Sequence, residues 1–140
     1  MIHPATPADL DRLLPMVHAL AAHHGDPAAC TREALQRDLF GPRAFLTVLI
    51  AEAGYTALYP MASLHWGMRG MEMHHLYVQP SQRGTGLGKT LVLAAIDFAK
   101  SEGAQFMTLG THPGNAAARA FYASLGFEPF DPGSRMRLKF

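Results

Sequence analysis

At 140 residues the chain has the size of one domain, large enough to bury a single core. Hydrophobic residues make up 49% and charged residues 16%, against a disordered chain, and a formal net charge of +1 without a lysine or arginine cluster excludes the basic face of a general nucleic-acid binder. Cys30 is the single cysteine, the N-terminal "MIHPATPADLDR" is no secretory signal, and no apolar run reaches the roughly 20 residues of a membrane helix, so the expectation is a cytoplasmic domain without membrane or nucleic-acid partners.

In chain order, "ATPADLDRLLPMVHALAAHH" opens with a helix signature: Thr6 to cap, Pro7 at the first position, Asp9 three residues after the cap. Leu10, Leu13, Leu14, Val17 and Leu20 then follow helical spacing, with Pro15 expected to bend or interrupt the helix. "GDPAAC" is a turn, and "TREALQRDLFG" reads as a second helix capped by Thr31 and stopped near Gly41-Pro42. "AFLTVLIAEA" reads as a strand, and Gly54 allows a tight turn into a second one, "YTALYPMASLHW". After the turn "GMRG", "MEMHHLYVQP" reads as a strand ending at Pro80. Leu87, Leu91, Ala94, Ala95 and Phe98 give a helix that Gly103 stops. "AQFMTLGTH" is again a strand, "NAAARAFYASLGF" a short helix closed by Gly126, and the alternating "SRMRLKF" a last strand. The order implies a mixed α/β domain, a mainly antiparallel central sheet flanked by helices.

Between the "LYV" strand and the long helix lies "QPSQRGTGLGKT". It is not a P-loop, because Arg83 stands where the first glycine belongs, and Gly84, Gly86 and Gly88 do not make the dinucleotide fingerprint either, so the Lys89-Thr90 pair reads as coincidence. Glycines at a helix N-terminus do let a diphosphate approach the unpaired N–H groups, and Arg83 can add charge there. Taken alone, the stretch reads equally well as a turn that joins strand to helix.

Arg83-Gly84-Thr85-Gly86-Leu87-Gly88, preceded by "LYVQP", resembles the R-x-x-G-x-G/A signature of the GNAT acyltransferase superfamily. "NAAARAFYASLGFEP" resembles its second signature, N-x-x-A-x-x-F-Y-x-x-x-G-F, with a one-residue difference in the spacing to the alanine. The resemblance covers nearly the whole chain and implies a single domain over residues 1–140. It implies the GNAT fold and N-acetylation with acetyl-coenzyme A, whose pyrophosphate would sit on Arg83, Gly84, Thr85, Gly86, Leu87, Gly88 and Lys89. Leu76, Tyr77 and Val78 would be further coenzyme contacts. Asn115 reads as a helix cap; the resemblance adds a bond to the pantetheine or adenosine portion. It also implies that many such proteins are homodimers, to which the "RMRLKF" strand would contribute.

The reaction needs a neutral amine and a proton for the departing thiolate. The resemblance puts the general acid at Tyr122, whose bland alternative is a ring packed with Phe121 and Leu125. A base, acting directly or through water, would come from "MEMHHLYV". There, strand alternation places Glu72, His74, Leu76 and Val78 on one face and Met73, His75 and Tyr77 on the other. Glu72 and His74 are the candidates, with two partly exposed polar residues as the bland reading. No metal site is expected, since adjacent strand histidines point apart and no H-x-x-x-H pair has an acidic partner on a clean helix. Cys30 has no activating partner.

"LQRDLFG" and "HHLYVQPSQRGTGLG" look most like the spermidine/spermine and thialysine N-acetyltransferase branch. That branch commonly has L-E-D where this chain has Met73-His74-His75, so negative charge for a polyamine is missing. A small primary amine or an amino-acid-like acceptor fits better, with Tyr59, Met61 and Trp66 as pocket candidates. The alternatives are a coenzyme A-binding sensor without turnover and an enzyme acetylating protein or peptide amines.

Overall fold

The computed structural model describes residues 1–130 and 135–140, which divide into two compact units, Met1–Leu109 and Gly110–Phe140. The first unit carries a five-stranded sheet in the order β1-β2-β3-β4-β5, formed by His3–Pro4, Thr47–Ala51, Gly54–Ser63, Met68–Val78 and Phe106–Thr108. β1 to β4 pair antiparallel, and β4 pairs parallel with β5. Three helices belong to this unit: α1 (Leu10–His23), α2 (Arg32–Phe40) and α3 (Leu87–Ser101).

The N-terminal helix signature holds, with a different donor and acceptor. Asp9 is the acceptor: its carboxylate takes the Thr6 backbone N–H (2.8 Å), the Thr6 hydroxyl (3.2 Å) and the Arg12 guanidinium (2.8 Å). Residues Pro7–Asp9 make a 3-10 turn that leads into α1. Pro15 lies inside α1 and does not interrupt it. The carbonyl its missing N–H would have bonded is that of Asp11, an exposed residue, so water can serve it. The buried stripe is Leu10, Leu13, Met16 and Leu20, with Leu14 and Val17 at its margin. α2 starts as expected: the Thr31 hydroxyl accepts the Ala34 N–H at 3.1 Å.

Two apolar layers sandwich the sheet. Val48, Ile50, Tyr55, Ala57 and Tyr77 pack with the α1 stripe and Leu35 of α2. The alternate residues Leu49 and Leu58, with Met71 and Met73, are buried on the other side, where α3 contributes Leu91, Val92, Ala95 and Ala99. Each such aliphatic side chain contributes roughly 1.5–3 kcal/mol on burial. Pro60 is tolerated in β3 because β2 pairs only as far as Thr47↔Leu58, so β3 is an edge from Tyr59 onward on that side.

The second unit contains α4 (Ala116–Ser124), capped by Asn115, whose side chain accepts the Ala118 N–H at 3.0 Å, and followed by Gly126 at φ +97°. The expected last strand does not form over Arg135–Phe140, where Met136, Leu138 and Phe140 are exposed without a strand partner among the described residues. Ser134, its first residue, lies outside the described residues.

Candidate active site

At its C-terminal end β4 passes through a 3-10 turn, Pro80–Gln82, into the glycine loop and α3. Gly84 and Gly86 adopt φ of +77° and +91°, a left-handed backbone that a side chain would strain, and a Cβ built on either would meet nothing within 4 Å. Both glycines are therefore required by conformation, and they leave open space at the helix start. The first intrahelical bond of α3 runs from Thr90 to the Gly86 carbonyl, and no side chain caps the helix. The N–H groups of Leu87, Gly88 and Lys89 consequently have no helical acceptor. The first turn holds no acidic residue and does hold Lys89, so nothing there balances the positive end of the helix dipole. An anion would satisfy all of these groups.

The loop is tied from within. The Arg83 Nε donates to the Val78 carbonyl at 3.1 Å, the Thr85 hydroxyl to the Gln82 carbonyl at 2.6 Å, and the Thr90 hydroxyl to the Gly86 carbonyl at 3.0 Å. Arg83 thus clamps the loop to the end of β4 through Nε, and its two terminal nitrogens make no hydrogen bond among the described residues. Leu76 and Val78 are half-buried. Tyr77 is buried against Tyr55 at 6.0 Å, so only its main chain is available. β5 pairs with β4 only over Gly70, Met71 and Glu72, so beyond Glu72 this side of β4 has no strand partner among the described residues.

The middle of β4 overturns the expected alternation. Leu58 of β3 pairs with Met73, but its neighbour Ala57 pairs with His75, so His74 is the extra residue of a β-bulge. Met73 then lies in the α3 layer, whereas His75 and Tyr77 lie on the α1 side. Glu72, paired with Tyr59, therefore lies on the face of His75 and Tyr77 rather than that of Leu76 and Val78, with His74 at the bulge between them. The bulge also stacks the two imidazoles, with ring centroids 4.2 Å apart and planes at 16°, so the adjacent histidines do not point apart. His74 is exposed beside the Tyr59 ring at 5.7 Å. His75 is half-buried, with its Nδ1 3.0 Å from the Tyr55 hydroxyl and its carbonyl accepting the buried Thr56 hydroxyl at 2.9 Å. Burial, then the neighbouring His74 and His24, lowers the His75 pKa from 6.5 to about 4, so it is neutral near pH 7 and Tyr55 donates to it.

Glu72 sits where β4 and β5 part. It pairs with Tyr59 on one side and Thr108 on the other, and the Thr108 hydroxyl donates to its Oε1. Met61 Sδ lies 3.3 Å from the same hydroxyl. Two residues back, the Phe106 ring lies across Gly70, where a Cβ would come within 2.4 Å of it, and Trp66 packs edge-on against Phe106 at 5.8 Å. Tyr59, Met61 and Trp66 thus all border this cluster. Thr108 was missed from sequence, since a threonine ending a short strand carries no motif; only the parallel register brings it to Glu72.

In the second unit Tyr122 packs against Phe121 and Phe127 at 5.1 and 5.7 Å, and its hydroxyl has no hydrogen bond among the described residues. Burial raises its pKa above 10.0. The ring thus has Phe121 and Phe127 as its aromatic neighbours, and burial favours keeping the proton on the oxygen. Cys30, half-buried, has its thiol pushed up by burial and offers no thiolate near neutrality. Among the described residues no three His, Cys, Asp or Glu side chains converge on a metal position, and no helix is long and apolar enough to cross a membrane.

This arrangement has relatives. The chain is 32% identical over 134 residues to a mycothiol acetyltransferase of Pseudarthrobacter chlorophenolicus, which covers 88% of this chain but only 40% of that protein. It is 28% identical over 141 residues to a thialysine N-epsilon-acetyltransferase of Bos taurus, covering 90% of this chain and 82% of the relative. A solved structure described as a probable acetyltransferase superposes with a TM-score of 0.86 at 23% identity, over 100% of this chain and 97% of that one. The profile of the acetyltransferase (GNAT) family matches residues 14–127, spanning the uncapped helix start, the bulged strand and α4 with its Asn115 cap, and the chain belongs to that family.

Proposed function

We propose that this protein transfers an acetyl group from acetyl-coenzyme A to the primary amine of a small molecule, by direct attack in a ternary complex. The open, uncapped N-terminus of α3 behind Gly84 and Gly86 carries this reading, because it fits the coenzyme's diphosphate and little else in the unit explains it. Glu72 and Val78 lie six residue steps apart, about 20 Å of extended strand. The edge of β4 that has no strand partner among the described residues offers main-chain partners to an extended coenzyme arm over this distance.

The coenzyme supplies the acetyl group as a thioester. An ammonium must lose one proton before attack and a second afterwards, and in this reading Glu72, directly or through water, accepts them. The C–N bond forms, the C–S bond breaks, and Tyr122 gives its proton to the departing sulfur, regaining one from the medium; one proton is released overall. A tyrosine whose pKa burial raises remains a donor throughout the neutral range. His74, exposed on the bulge beside Tyr59, supports binding of the acceptor at the rim. A relative named for thialysine supports an amino-acid-like amine as the acceptor.

The test is thiol release from acetyl-coenzyme A across a panel of amines that includes thialysine, L-lysine, methionine sulfone and spermidine. Tyr122→Phe should lower kcat about a hundredfold with little change in KM. Coenzyme binding without release for any amine would instead make this a sensor, and release only with peptides would make the acceptor a protein.

A further inference from the structure

The mechanism just described uses Glu72 but does not explain what holds it. A glutamate has several rotatable bonds, and at a half-exposed position its carboxylate would sample many directions. Here it does not have that freedom. In the parallel register Thr108 is its direct neighbour, and the Thr108 hydroxyl donates to one carboxylate oxygen, Oε1. Nothing else among the described residues bonds the Glu72 carboxylate.

Two further contacts make Thr108 a fixed donor. Its single proton has two acceptors in reach, Glu72 Oε1 and Met61 Sδ, and the carboxylate is much the stronger. The thioether therefore fills the remaining side of the hydroxyl without competing for the proton. The register that places Thr108 beside Glu72 is held two residues earlier, where the Phe106 ring occupies the volume a side chain at residue 70 would take. Gly70, Phe106, Met61 and Thr108 together form a bracket around one carboxylate.

We propose that Thr108 is the positioning residue for Glu72: by binding Oε1 it leaves Oε2 as the oxygen presented to the acceptor amine. This inference rests on the reading of Glu72 as the proton acceptor. A hydrogen bond to a charged group contributes enough that its loss should be visible as roughly a tenfold change in rate.

The experiment is a double-mutant cycle with acetyl-coenzyme A and whichever of thialysine, L-lysine, methionine sulfone or spermidine gives the highest kcat/KM. Thr108→Val keeps the shape and removes the hydroxyl; it should lower kcat about tenfold and change the amine KM by less than about threefold. Thr108→Ser should restore kcat to within about threefold of the starting protein. In a Glu72→Gln background, Thr108→Val should change kcat by less than about twofold, because its effect passes through Glu72. An equal loss in both backgrounds, or no loss in a folded Thr108→Val variant whose Glu72→Gln counterpart is impaired, overturns the role of Thr108 alone. Full activity of Glu72→Gln, or no thiol release with any amine, overturns the underlying reading and this inference with it. Should the valine variant melt below assay temperature, Thr108→Ala carries the same expectations.

Discussion

Two places along one strand, the C-terminal end and the middle of β4, solve different problems by different means. At Val78 the chain enters a loop whose shape is dictated by glycine: Gly84 and Gly86 take backbone angles closed to other residues and leave bare N–H groups at the α3 start. At His74 the same strand is bent by an extra residue, and side chains from β3 and β5 close around Glu72. The first is local and made of main chain; the second is assembled from segments distant in sequence. A main-chain cradle tolerates changes around it and fails on any bulk within it. An assembled cluster degrades in smaller steps as its members are removed.

The largest expected effect is therefore at the glycine end. Gly86→Glu adds a side chain at positive φ and a negative charge at the proposed anion position, and should raise the coenzyme KM about a hundredfold or more. Steady-state kinetics and direct titration with coenzyme A check this, and undiminished affinity in a folded variant would remove the cradle from the account.

At the bulge the expected effect is on stability against pH. His75 has a folded pKa near 4 against an ordinary 6.5, so between these values the unfolded chain binds more protons than the folded one. Stability contributed by neutral His75 is thus complete above about pH 6.5 and declines as pH falls toward 4, by on the order of 2 kcal/mol after allowance for partial exposure. Denaturant midpoints followed from pH 7 to 4 should show this slope, and His75→Gln should flatten it. An unchanged slope in that variant would mean that other groups carry the acid response.

A smaller change is expected at the foot of the cluster. Gly70→Ala drives a methyl group into the Phe106 ring and should cost about 1–2 kcal/mol, with kcat falling as Thr108 shifts from Glu72. If stability falls while kcat stays put, the β5 register does not govern Glu72.

Which features were legible follows the same division. The Thr31 and Asn115 caps and the glycines of the loop each depend on residues within one or two helical turns of each other, and pattern alone identified them, while it gave the faces of α1 and α3 in part, missing Met16, Val92 and Ala99. Pro15 does not interrupt α1 because its cost depends on which carbonyl it orphans, and an exposed one is served by water. β1 was missed since two residues, one a proline, carry no period; its place follows from pairing with Leu49 and Ile50. The face assignments along β4 failed because a bulge inverts every side chain beyond it, and a bulge is a property of two strands.

The sequence by itself determined the family, the helices α1 to α4 with the strands β2 to β5 between them, and the loop that offers backbone amides, because each rests on short-range patterns. Only the tertiary structure decided that His74 and His75 stack, that Glu72 faces with His75 and not with Leu76, and that Thr108 meets Glu72. The register between strands sets those neighbours, and register is chosen by the packing of the whole sheet against its helices.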